Sequence, residues 1–445
     1  LMISLFSLNA SAEVDYQLNN WWFIKNNGHP FSVFSPAKIG IDLGLENVYS
    51  TPLYAATSKN RVLVAVIDSG LDFDHPDFQN TVALNQKDLF NNGVDDDENG
   101  LVDDTYGWNF FDNNFAPNDL NGHGTHVAGI IHKITQGRAD ILPIRYSGAD
   151  ASGNGWFLVQ AINYAVLRGA KLINCSWDGE LFEQNVLNAM KRAGEKGVLF
   201  VVAAGNNGTD NDALPNFPGN FGLDNILVVA NLEPTGALDR YSNFGKKTVD
   251  IASPGTYIMS SKLGGGYVMM DGTSMASATA TGSLALLKSL YPELSFFELK
   301  ELLINYAQPN HKLVKRVKAG GFINISNVIN RTHSPLVQIP ESSWKRIPVK
   351  IESHHPYGSG HQIFFAEAPK TAKKMRLLFE KIEIANQSDQ LCLHLKNEGV
   401  IECLSGKKEN YTTQIMEGSK VTINLETYSK TSSFGFVIRA IDYIE

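Results

Sequence analysis

The sequence is poor in cysteine and has no hydrophobic run long enough to cross a membrane. Only three cysteines occur in 445 residues, which excludes the dense disulfide framework that holds many small secreted domains together. The apolar stretches are shorter than the ~20 residues that a membrane-spanning helix requires. The sequence also lacks an excess of positive charge: 46 acidic side chains outnumber 38 basic ones, and the net charge is −8. This balance argues against a general nucleic-acid-binding protein.

The first twelve residues, LMISLFSLNASA, are a short apolar run that ends in small residues. This pattern is typical of a secretory signal peptide, so we expect residues 1–12 to direct export to the periplasm or the extracellular space. Two cysteines agree with an oxidising compartment, because Cys392 and Cys403 lie in two strand-like runs around a turn and could pair across a hairpin. Cys175 lies in an apolar run and is expected to be a buried free thiol.

Residues 13–330 alternate between short apolar runs and helical patterns. The runs RVLVAVID, KLINCSW and VLFVVAAGN lack polar alternation, as expected for strands that are buried on both faces. Helical patterns that end in glycine lie between the runs, for example GWFLVQAINYAVLRG. We therefore predict an α/β domain with a doubly wound, mostly parallel sheet. In such folds the reactive side chains lie in the loops after the strands.

The composition changes after residue 330. Residues 331–337 are interpreted as a linker, and residues 338–445 contain runs of period two, such as MRLLFEKIEI and KVTINLETY, with few helical patterns. This pattern predicts a C-terminal all-β sandwich that is large enough to have its own core. The domain has a weaker resemblance to CUB-like sandwiches, and a plain β-sandwich is the alternative.

Three short motifs contain an aspartate, a histidine and a serine, in that order. Asp68 ends the apolar run of VAVIDSGLD, His123 begins a helical run in NGHGTHVAG, and Ser274 begins another in DGTSMAS. A serine hydroxyl is a weak nucleophile until an imidazole takes its proton, and the imidazole needs a buried carboxylate to fix its tautomer. Each residue alone is more often structural than catalytic, but the three together can supply this chemistry.

With AAGNNG between the second and third motifs, this order resembles that of the subtilisin-like serine proteases. The resemblance extends from about residue 18 to residue 330. It implies an endopeptidase in which Ser274 attacks the peptide bond, His123 moves the proton and Asp68 orients the imidazole. It also implies that Asn206 and the backbone N–H of Ser274 bind the oxyanion of the tetrahedral intermediate.

The resemblance further indicates a substrate-binding cleft that departs from the family pattern. The implied cleft residues are Ser176, Trp177, Asp178, Ala203, Ala204, Gly205 and Asn216. Asp178 and Asn216 both stand where relatives usually have glycine, so we expect a specificity pocket that is smaller or more polar than an open apolar slot. This predicts a preference for a polar or basic residue before the scissile bond. The alternative is that Asp178 is only a solvated loop charge.

The acidic stretch NNGVDDDENGLVDD is a candidate calcium site. Asp95, Asp97 and Asn99 alternate before a glycine and Asp103 follows at the ninth position, as in the first part of an EF-hand-like loop. The twelfth position is Tyr106, so the bidentate glutamate of that motif is missing. The alternative is a solvated acidic loop, but so many carboxylates in one turn repel each other unless a cation neutralises them. We therefore expect a structural Ca²⁺.

These observations predict a secreted endopeptidase that acts on protein or peptide substrates, with a C-terminal domain that binds another protein or a glycan. The alternative is a secreted binding protein that is weak or inactive as an enzyme. The altered cleft supports this alternative, and so does the lack of a recognisable propeptide before NNWWFIKNNGHP. Ala278 and Thr279 also replace the Pro-His that relatives carry after GTSMAS, so we expect a more regular helix after Ser274.

Overall fold

The computed structural model describes most of the chain between residues 21 and 445. The described ranges are 21–29, 31, 37–57, 60–332, 341–385, 389–395, 399–413, 415–427 and 433–445. The predicted signal segment, residues 1–12, lies outside them, as do residues 333–337 of the predicted linker. The predicted domain boundaries therefore stay predictions.

A nine-stranded sheet organises the part of the chain up to residue 332. Its strands are β1 (Val62–Asp68), β2 (Trp108–Asn109), β3 (Ala139–Arg145), β4 (Leu172–Cys175), β5 (Leu199–Ala203), β6 (Ile226–Leu232), β7 (Ile251–Pro254), β10 (Gln308–Pro309) and β11 (Gly321–Phe322). Their order is β10-β11-β7-β6-β5-β4-β1-β3-β2. Every neighbouring pair is parallel except β10 and β11. A separate antiparallel pair consists of β8 (Ile258–Ser261) and β9 (Tyr267–Met270).

Helices cover this sheet, as the alternation in the sequence predicts. They are α1 (Leu45–Tyr49), α2 (Pro52–Ala56), α3 (His123–Thr135), α4 (Gly155–Leu167), α5 (Gln184–Glu195), α6 (Thr273–Leu290), α7 (Phe296–Asn305) and α8 (Ile325–Asn330). Helix α6 packs along β4 to β7 and against α3, while α4 and α5 pack against each other. All residues of β5 and β6 are buried, because a strand covered on both faces has no solvent side. The predicted doubly wound α/β fold is confirmed.

The C-terminal region is all-β and antiparallel. Its strands are β12 (Lys345–Glu352), β13 (Gly360–Glu367), β14 (Lys374–Ile384), β15 (Gln390–Leu395), β16 (Gly399–Leu404), β17 (Gly406–Thr412), β18 (Met416–Glu417), β19 (Lys420–Thr427) and β20 (Gly435–Ile444). They form two sheets, β12-β20-β14-β17 with β18 on β14, and β13-β19-β15-β16. Burial alternates along β19, which leaves one face for the core of this region.

The cysteines lie where the sequence suggests. Cys392 and Cys403 are opposite each other on β15 and β16 and form a disulfide, while Cys175 is a buried free thiol on β4. No helix in the described ranges is both long and apolar enough to span a bilayer.

Candidate active site

Three neighbouring strands of the main sheet, β1, β4 and β5, lead to predicted catalytic and substrate-binding residues. Asp68 is the last residue of β1, Ser176 follows the end of β4, and Asn206 follows β5 after two residues. Because these strands are parallel, their carboxyl ends lie at one edge of the sheet, where reactive groups of such folds are found. Ser274 is the second residue of α6, and its hydroxyl reaches this edge by donating a hydrogen bond to the carbonyl of Ser176.

Asp68 and His123 are joined by a short hydrogen bond. His123 Nδ1 lies 2.8 Å from Oδ1 of Asp68, which also accepts the backbone N–H of Ser69 at 2.8 Å. The other carboxylate oxygen, Oδ2, is buried and has no hydrogen-bond partner among the described residues. A buried carboxylate with one bare oxygen is stabilised by a positive charge nearby, and a protonated His123 would supply it.

The start of helix α3 can approach strand β1 because glycine stands at the contact. A Cβ atom on Gly124 would lie only 2.3 Å from the carbonyl oxygen of Gly70. His123 is the first residue of α3, so this close approach brings its ring to the end of β1, where Asp68 lies.

A second carboxylate, Asp119, also supports His123, although the sequence analysis did not identify it. Asp119 is buried and accepts hydrogen bonds from the hydroxyl of Ser69, the backbone N–H groups of Asn121 and Gly122, and both the N–H and the hydroxyl of Thr125. Burial alone would raise the pKa of Asp119, but these hydrogen bonds outweigh it and hold the pKa below its usual value. In the sequence, Asp119 is an aspartate shortly before a helix start, and aspartate is common at such positions.

The two carboxylates make His123 more basic. Burial by itself lowers the pKa of an imidazole, but the charge of Asp68, its hydrogen bond to Nδ1 and the charge of Asp119 have a larger combined effect and raise the pKa of His123. The ring is half-buried, with 31% of the side chain exposed, so its Nε2 edge can face substrate. This combination suits a general base and acid.

Ser274 is held in a resting orientation. Its hydroxyl donates to the carbonyl oxygen of Ser176 at 3.1 Å, and within the described ranges no hydrogen bond joins it to His123. A rotation about the Cα–Cβ bond of Ser274 would release this contact. In structures without substrate, catalytic hydrogen bonds are often not yet formed.

The side chain of Asn206 is oriented by Thr273. Its Oδ1 accepts the backbone N–H of Thr273 at 2.9 Å and the hydroxyl of Thr273 at 3.0 Å. A backbone N–H can only donate, so the oxygen must face Thr273 and the amide NH₂ must face away. Asn206 is exposed, and the N–H of Ser274 lies in the first turn of α6, where backbone donors lack partners within the helix. The two groups can act together as an anion-binding pair.

Comparison with known proteins identifies the family. Residues 59–326 match the model of the subtilase family of peptidases. The chain belongs to the subtilase family. It is 32% identical over 302 residues to subtilisin-like protease 1 of Plasmodium vivax, which is 61% of this chain and 48% of that protein. It is also 33% identical over 260 residues to a thermophilic serine proteinase of Bacillus sp. (strain AK1), which is 56% of this chain and 58% of that protein.

The chain spans about half the length of the curated relatives that it matches. Among solved structures, it resembles that of a lanthipeptide protease with a TM-score of 0.53 and 22% identity, over 65% of this chain and 93% of the other. This likeness shows the shared fold. The family match ends at residue 326, so it does not extend to the C-terminal sheets, and the CUB-like resemblance stays a prediction.

In this subtilase, two polar side chains occupy the predicted specificity pocket. Asn216 Nδ2 donates to Oδ2 of Asp178 at 2.8 Å and to the carbonyl of Ala204 at 3.0 Å. A Cβ atom on Gly205 would lie 2.1 Å from the same nitrogen, so the amide of Asn216 lies directly against the Gly205 backbone. Ala203 is buried beside them. The predicted pocket therefore has polar groups at this point, with the Asn216 amide packed on the Gly205 backbone.

The remaining pocket residues directly follow β4, the strand next to β5. Trp177 is half-buried against Tyr146, and the Ser176 hydroxyl contacts the backbone of Ser274. Asp178 is exposed at the pocket mouth, where desolvation by neighbouring protein atoms raises the pKa of its carboxyl and the Asn216 hydrogen bond only partly opposes this. The structure thus brings the seven predicted substrate-binding residues together at one end of β4 and β5.

The acidic loop of this subtilase is held by hydrogen bonds from its own backbone N–H groups to its carboxylates. Asp95 accepts the N–H groups of Asn99 and Gly100, at 3.0 and 2.7 Å, and Asp103 accepts those of Asn92 and Gly93. Subtilases commonly bind structural calcium. Within the described ranges, however, no three His, Cys, Asp or Glu side chains are grouped so that they could hold a metal ion. The four predicted ligands therefore do not form a ready-made coordination shell.

Proposed function

We propose that this protein is a serine endopeptidase that hydrolyses peptide bonds through an acyl-enzyme. The observation that carries the proposal is the 2.8 Å hydrogen bond between Asp68 and His123, at the sheet edge where Ser274 lies at a helix start. Asp68 is the residue that orients the imidazole, His123 the base and acid, Ser274 the nucleophile and Asn206 the oxyanion donor. Membership of the subtilase family supports each assignment.

The proposed reaction follows from these positions. The Ser274 hydroxyl turns from the Ser176 carbonyl towards Nε2 of His123, which takes its proton as the oxygen attacks the scissile carbonyl. The oxyanion is bound by the Asn206 amide and the Ser274 N–H. His123 then gives the proton to the leaving amine, and water repeats the sequence to release the acid product.

A fluorophosphonate probe distinguishes an enzyme from an inactive binding protein. Two observations support an inactive binding protein: the Ser274 hydroxyl is hydrogen-bonded to the Ser176 carbonyl rather than to His123, and the Asn216 amide lies against Gly205 in the predicted pocket. We expect stoichiometric labelling of native protein, mapped to Ser274 by mass spectrometry. Folded protein that stays unlabelled after prolonged exposure would favour the binding protein.

The rate is expected to depend on pH through His123. A general base must be neutral, so activity falls as the pH drops through its pKa. Because Asp68 and Asp119 raise the pKa of His123 above its ordinary value of 6.5, the acid limb of kcat/KM should have its midpoint above pH 6.5. The measurement is kcat/KM against pH with a peptide substrate, and an activity that stays flat below pH 6.5 would contradict a His123 base.

We propose that Asp178 selects a basic or polar residue before the scissile bond. Its carboxylate lies beside Asn216 at the predicted pocket, and a carboxylate there suits a side chain that ends in a positive charge. Asp178→Gly should shift cleavage from Lys and Arg towards large apolar residues, by roughly two- to tenfold because the site is partly wet. The measurement is a cleavage profile on a peptide library.

Glu180→Gly is the matched control, since Glu180 is an exposed carboxylate two residues further along the same loop. This control should leave the profile unchanged. If the profile of Asp178→Gly also matches that of the native protein, the Asp178 carboxylate has no part in selection.

We propose that the acidic loop binds a structural Ca²⁺ through Asp95, Asp97, Asn99 and Asp103. Their oxygen donors are of the type that hard divalent cations prefer, and the Asp95 carboxylate has acceptor sites left beyond the two N–H groups that it binds. Chelation should lower the melting temperature, because a ligand that binds only the folded state stabilises it. Asp95→Ala combined with Asp97→Ala should abolish that difference, whereas Glu98→Ala should preserve it. If the melting curves with calcium and with chelator are superimposable, the acidic stretch is only a solvated loop and the calcium proposal is wrong.

We also propose that the protein is exported and that residues 338–445 are a separate domain that binds a protein or a glycan. Export is supported by the apolar start of the sequence and by the Cys392–Cys403 disulfide, since disulfides persist in oxidising compartments. The separate hydrophobic core of the C-terminal sheets supports an independent domain.

A further inference from the structure

The backbone carbonyl of Ser274 is the end point of a chain of buried hydrogen bonds. It accepts the hydroxyl of Ser176 at 2.8 Å and that of Ser277 at 2.9 Å, and these two hydroxyls are 2.8 Å apart. Ser176 in turn accepts Nδ2 of Asn174 at 2.9 Å, and the hydroxyl of Thr281 donates to Oδ1 of Asn174 at 2.8 Å.

All of these side chains are buried. Asn174, Ser277 and Thr281 have no exposed surface, and Ser176 is 6% exposed. Asn174 lies on β4, and Thr281 lies two helical turns after Ser274 on α6. The chain of hydrogen bonds therefore links the central sheet to the helix that carries the proposed nucleophile.

The hydrogen bonds run in one direction. The Thr281 hydroxyl faces the oxygen of the Asn174 amide, so the amide NH₂ must face Ser176. With an N–H donor on one side, the Ser176 oxygen acts as an acceptor there, and its own proton reaches the Ser274 carbonyl directly or goes to the Ser277 hydroxyl, which donates to the same carbonyl. If the Thr281 hydroxyl no longer donated to Asn174, the Asn174 amide could turn over, and the hydrogen bonds of Ser176 would change with it.

Ser176 also contacts the proposed nucleophile from a second side. Its carbonyl oxygen accepts the Ser274 hydroxyl, while its own hydroxyl donates to the Ser274 carbonyl. A small movement of Ser176 would thus displace both the hydroxyl and the backbone carbonyl of Ser274. Catalysis is sensitive to such movements, since a misplacement of about 1 Å can lower the rate about 10²-fold.

We propose that Thr281 is a positioning residue for Ser274, acting through Asn174 and Ser176. Thr281 touches neither substrate nor the reacting atoms. Its hydroxyl sets the orientation of the Asn174 amide, which fixes the Ser176 hydroxyl and thereby the nucleophile. This inference rests on the proposed peptidase function.

The test compares Thr281→Val, which removes the hydroxyl at nearly constant shape, with Thr281→Ser, which keeps it. We expect Thr281→Val to lower kcat about tenfold and to leave KM within about twofold, because only the placement of the nucleophile changes. The rate constant for labelling by the fluorophosphonate probe should fall by the same factor. Thr281→Ser should retain most of both rates.

Thr279→Val is the matched control on the same helix. Thr279 is as buried as Thr281, but its hydroxyl lies near Ser253 and donates to the carbonyls of Pro254 and Ala276. This variant should lose a comparable buried hydroxyl and melt earlier, yet keep the native labelling rate. If Thr281→Val does not fold, Thr281→Ala assayed well below its melting temperature provides the same comparison.

The outcomes separate the two proposals. Native protein that the probe does not label would overturn the proposed function and the role of Thr281 with it. Labelled native protein together with a Thr281→Val variant that reacts at the native rate would overturn the role of Thr281 alone. Equal losses in Thr279→Val and Thr281→Val would do the same, because they would reflect general loosening of the helix.

Discussion

Replacement of Ser274 by alanine is expected to abolish peptide hydrolysis in a protein that remains folded. Without the hydroxyl there is no nucleophile, so only the slow attack of water on bound substrate remains. For subtilisin, a member of the same family, such a loss is about 10⁶-fold in kcat, and we take the size from that enzyme rather than from this geometry. The measurement is kcat of the purified variant, free of native protein, on a peptide substrate.

The fold should tolerate this change. Among the described residues, the Ser274 side chain hydrogen-bonds to the Ser176 carbonyl alone, and the loss of one such bond costs roughly 1 kcal/mol. Ser289→Ala is a matched control, because Ser289 is a buried serine near the far end of the same helix whose hydroxyl donates to the carbonyl of Leu286. It should keep full activity. Substantial hydrolysis by pure Ser274→Ala protein would remove Ser274 from the proposed role.

The fold class was predictable from the sequence because burial leaves a pattern in it. Strand β5 reads LFVVA without a polar residue, as expected for a strand with helices on both faces, and all five of its residues are buried. Strand β19 reads KVTINLET, and its alternating burial reflects one solvent face. The order of strands in the main sheet was not predictable, because pairing between distant segments leaves no local pattern.

The proposed catalytic residues were predictable because the Asp, His and Ser motifs, together with AAGNNG, occur in the order typical of the family, although the three residues are far apart in the sequence. Asp119 and Thr281 were not, since aspartate before a helix and threonine within one are common and only the fold shows what they contact. The contact between Asp178 and Asn216 joins residues 38 positions apart, so the sequence indicated two polar substitutions but not their hydrogen bond.

The acidic loop illustrates a limit of motif spacing. Asp95, Asp97, Asn99 and Asp103 have the spacing of a calcium loop, yet Asp95 accepts backbone N–H groups of its own turn and Asp103 accepts those of Asn92 and Gly93 at the start of the acidic stretch. Asp and Asn form such local turns readily, with or without a metal. Spacing alone therefore cannot distinguish a calcium loop from a self-bonded turn.

Asp68→Asn is expected to lower kcat by about 10⁴-fold, the size of the effect in another protease with the same triad. In the native structure, Oδ1 of Asp68 accepts hydrogen bonds from both His123 Nδ1 and the backbone N–H of Ser69, while Oδ2 is buried and has no partner in the part of the chain that the structure describes. An asparagine has two ways to fit this site. If its oxygen replaces Oδ1, the NH₂ group is buried without an acceptor and the imidazolium loses its counter-charge.

If the amide turns over instead, its NH₂ group faces Nδ1 and forces the tautomer in which the proton is on Nε2. That tautomer cannot accept the proton of Ser274, so the base is lost. In either orientation the charge that raises the pKa of His123 is gone, so whatever activity remains should have its acid limb at lower pH than in the native protein.

The control is Asp74→Asn, which removes an exposed carboxylate from the loop that follows β1. Because solvent screens an exposed charge, this variant should keep the native rate and pH profile. The measurement is kcat and kcat/KM against pH for the native protein and both variants. An Asp68→Asn protein within tenfold of the native rate would mean that His123 does not depend on Asp68, and the triad assignment would have to be abandoned. A large loss without a shift of the acid limb would mean instead that the Asp68 charge does not control the titration of His123, and that the loss comes from the changed hydrogen bonds at this site.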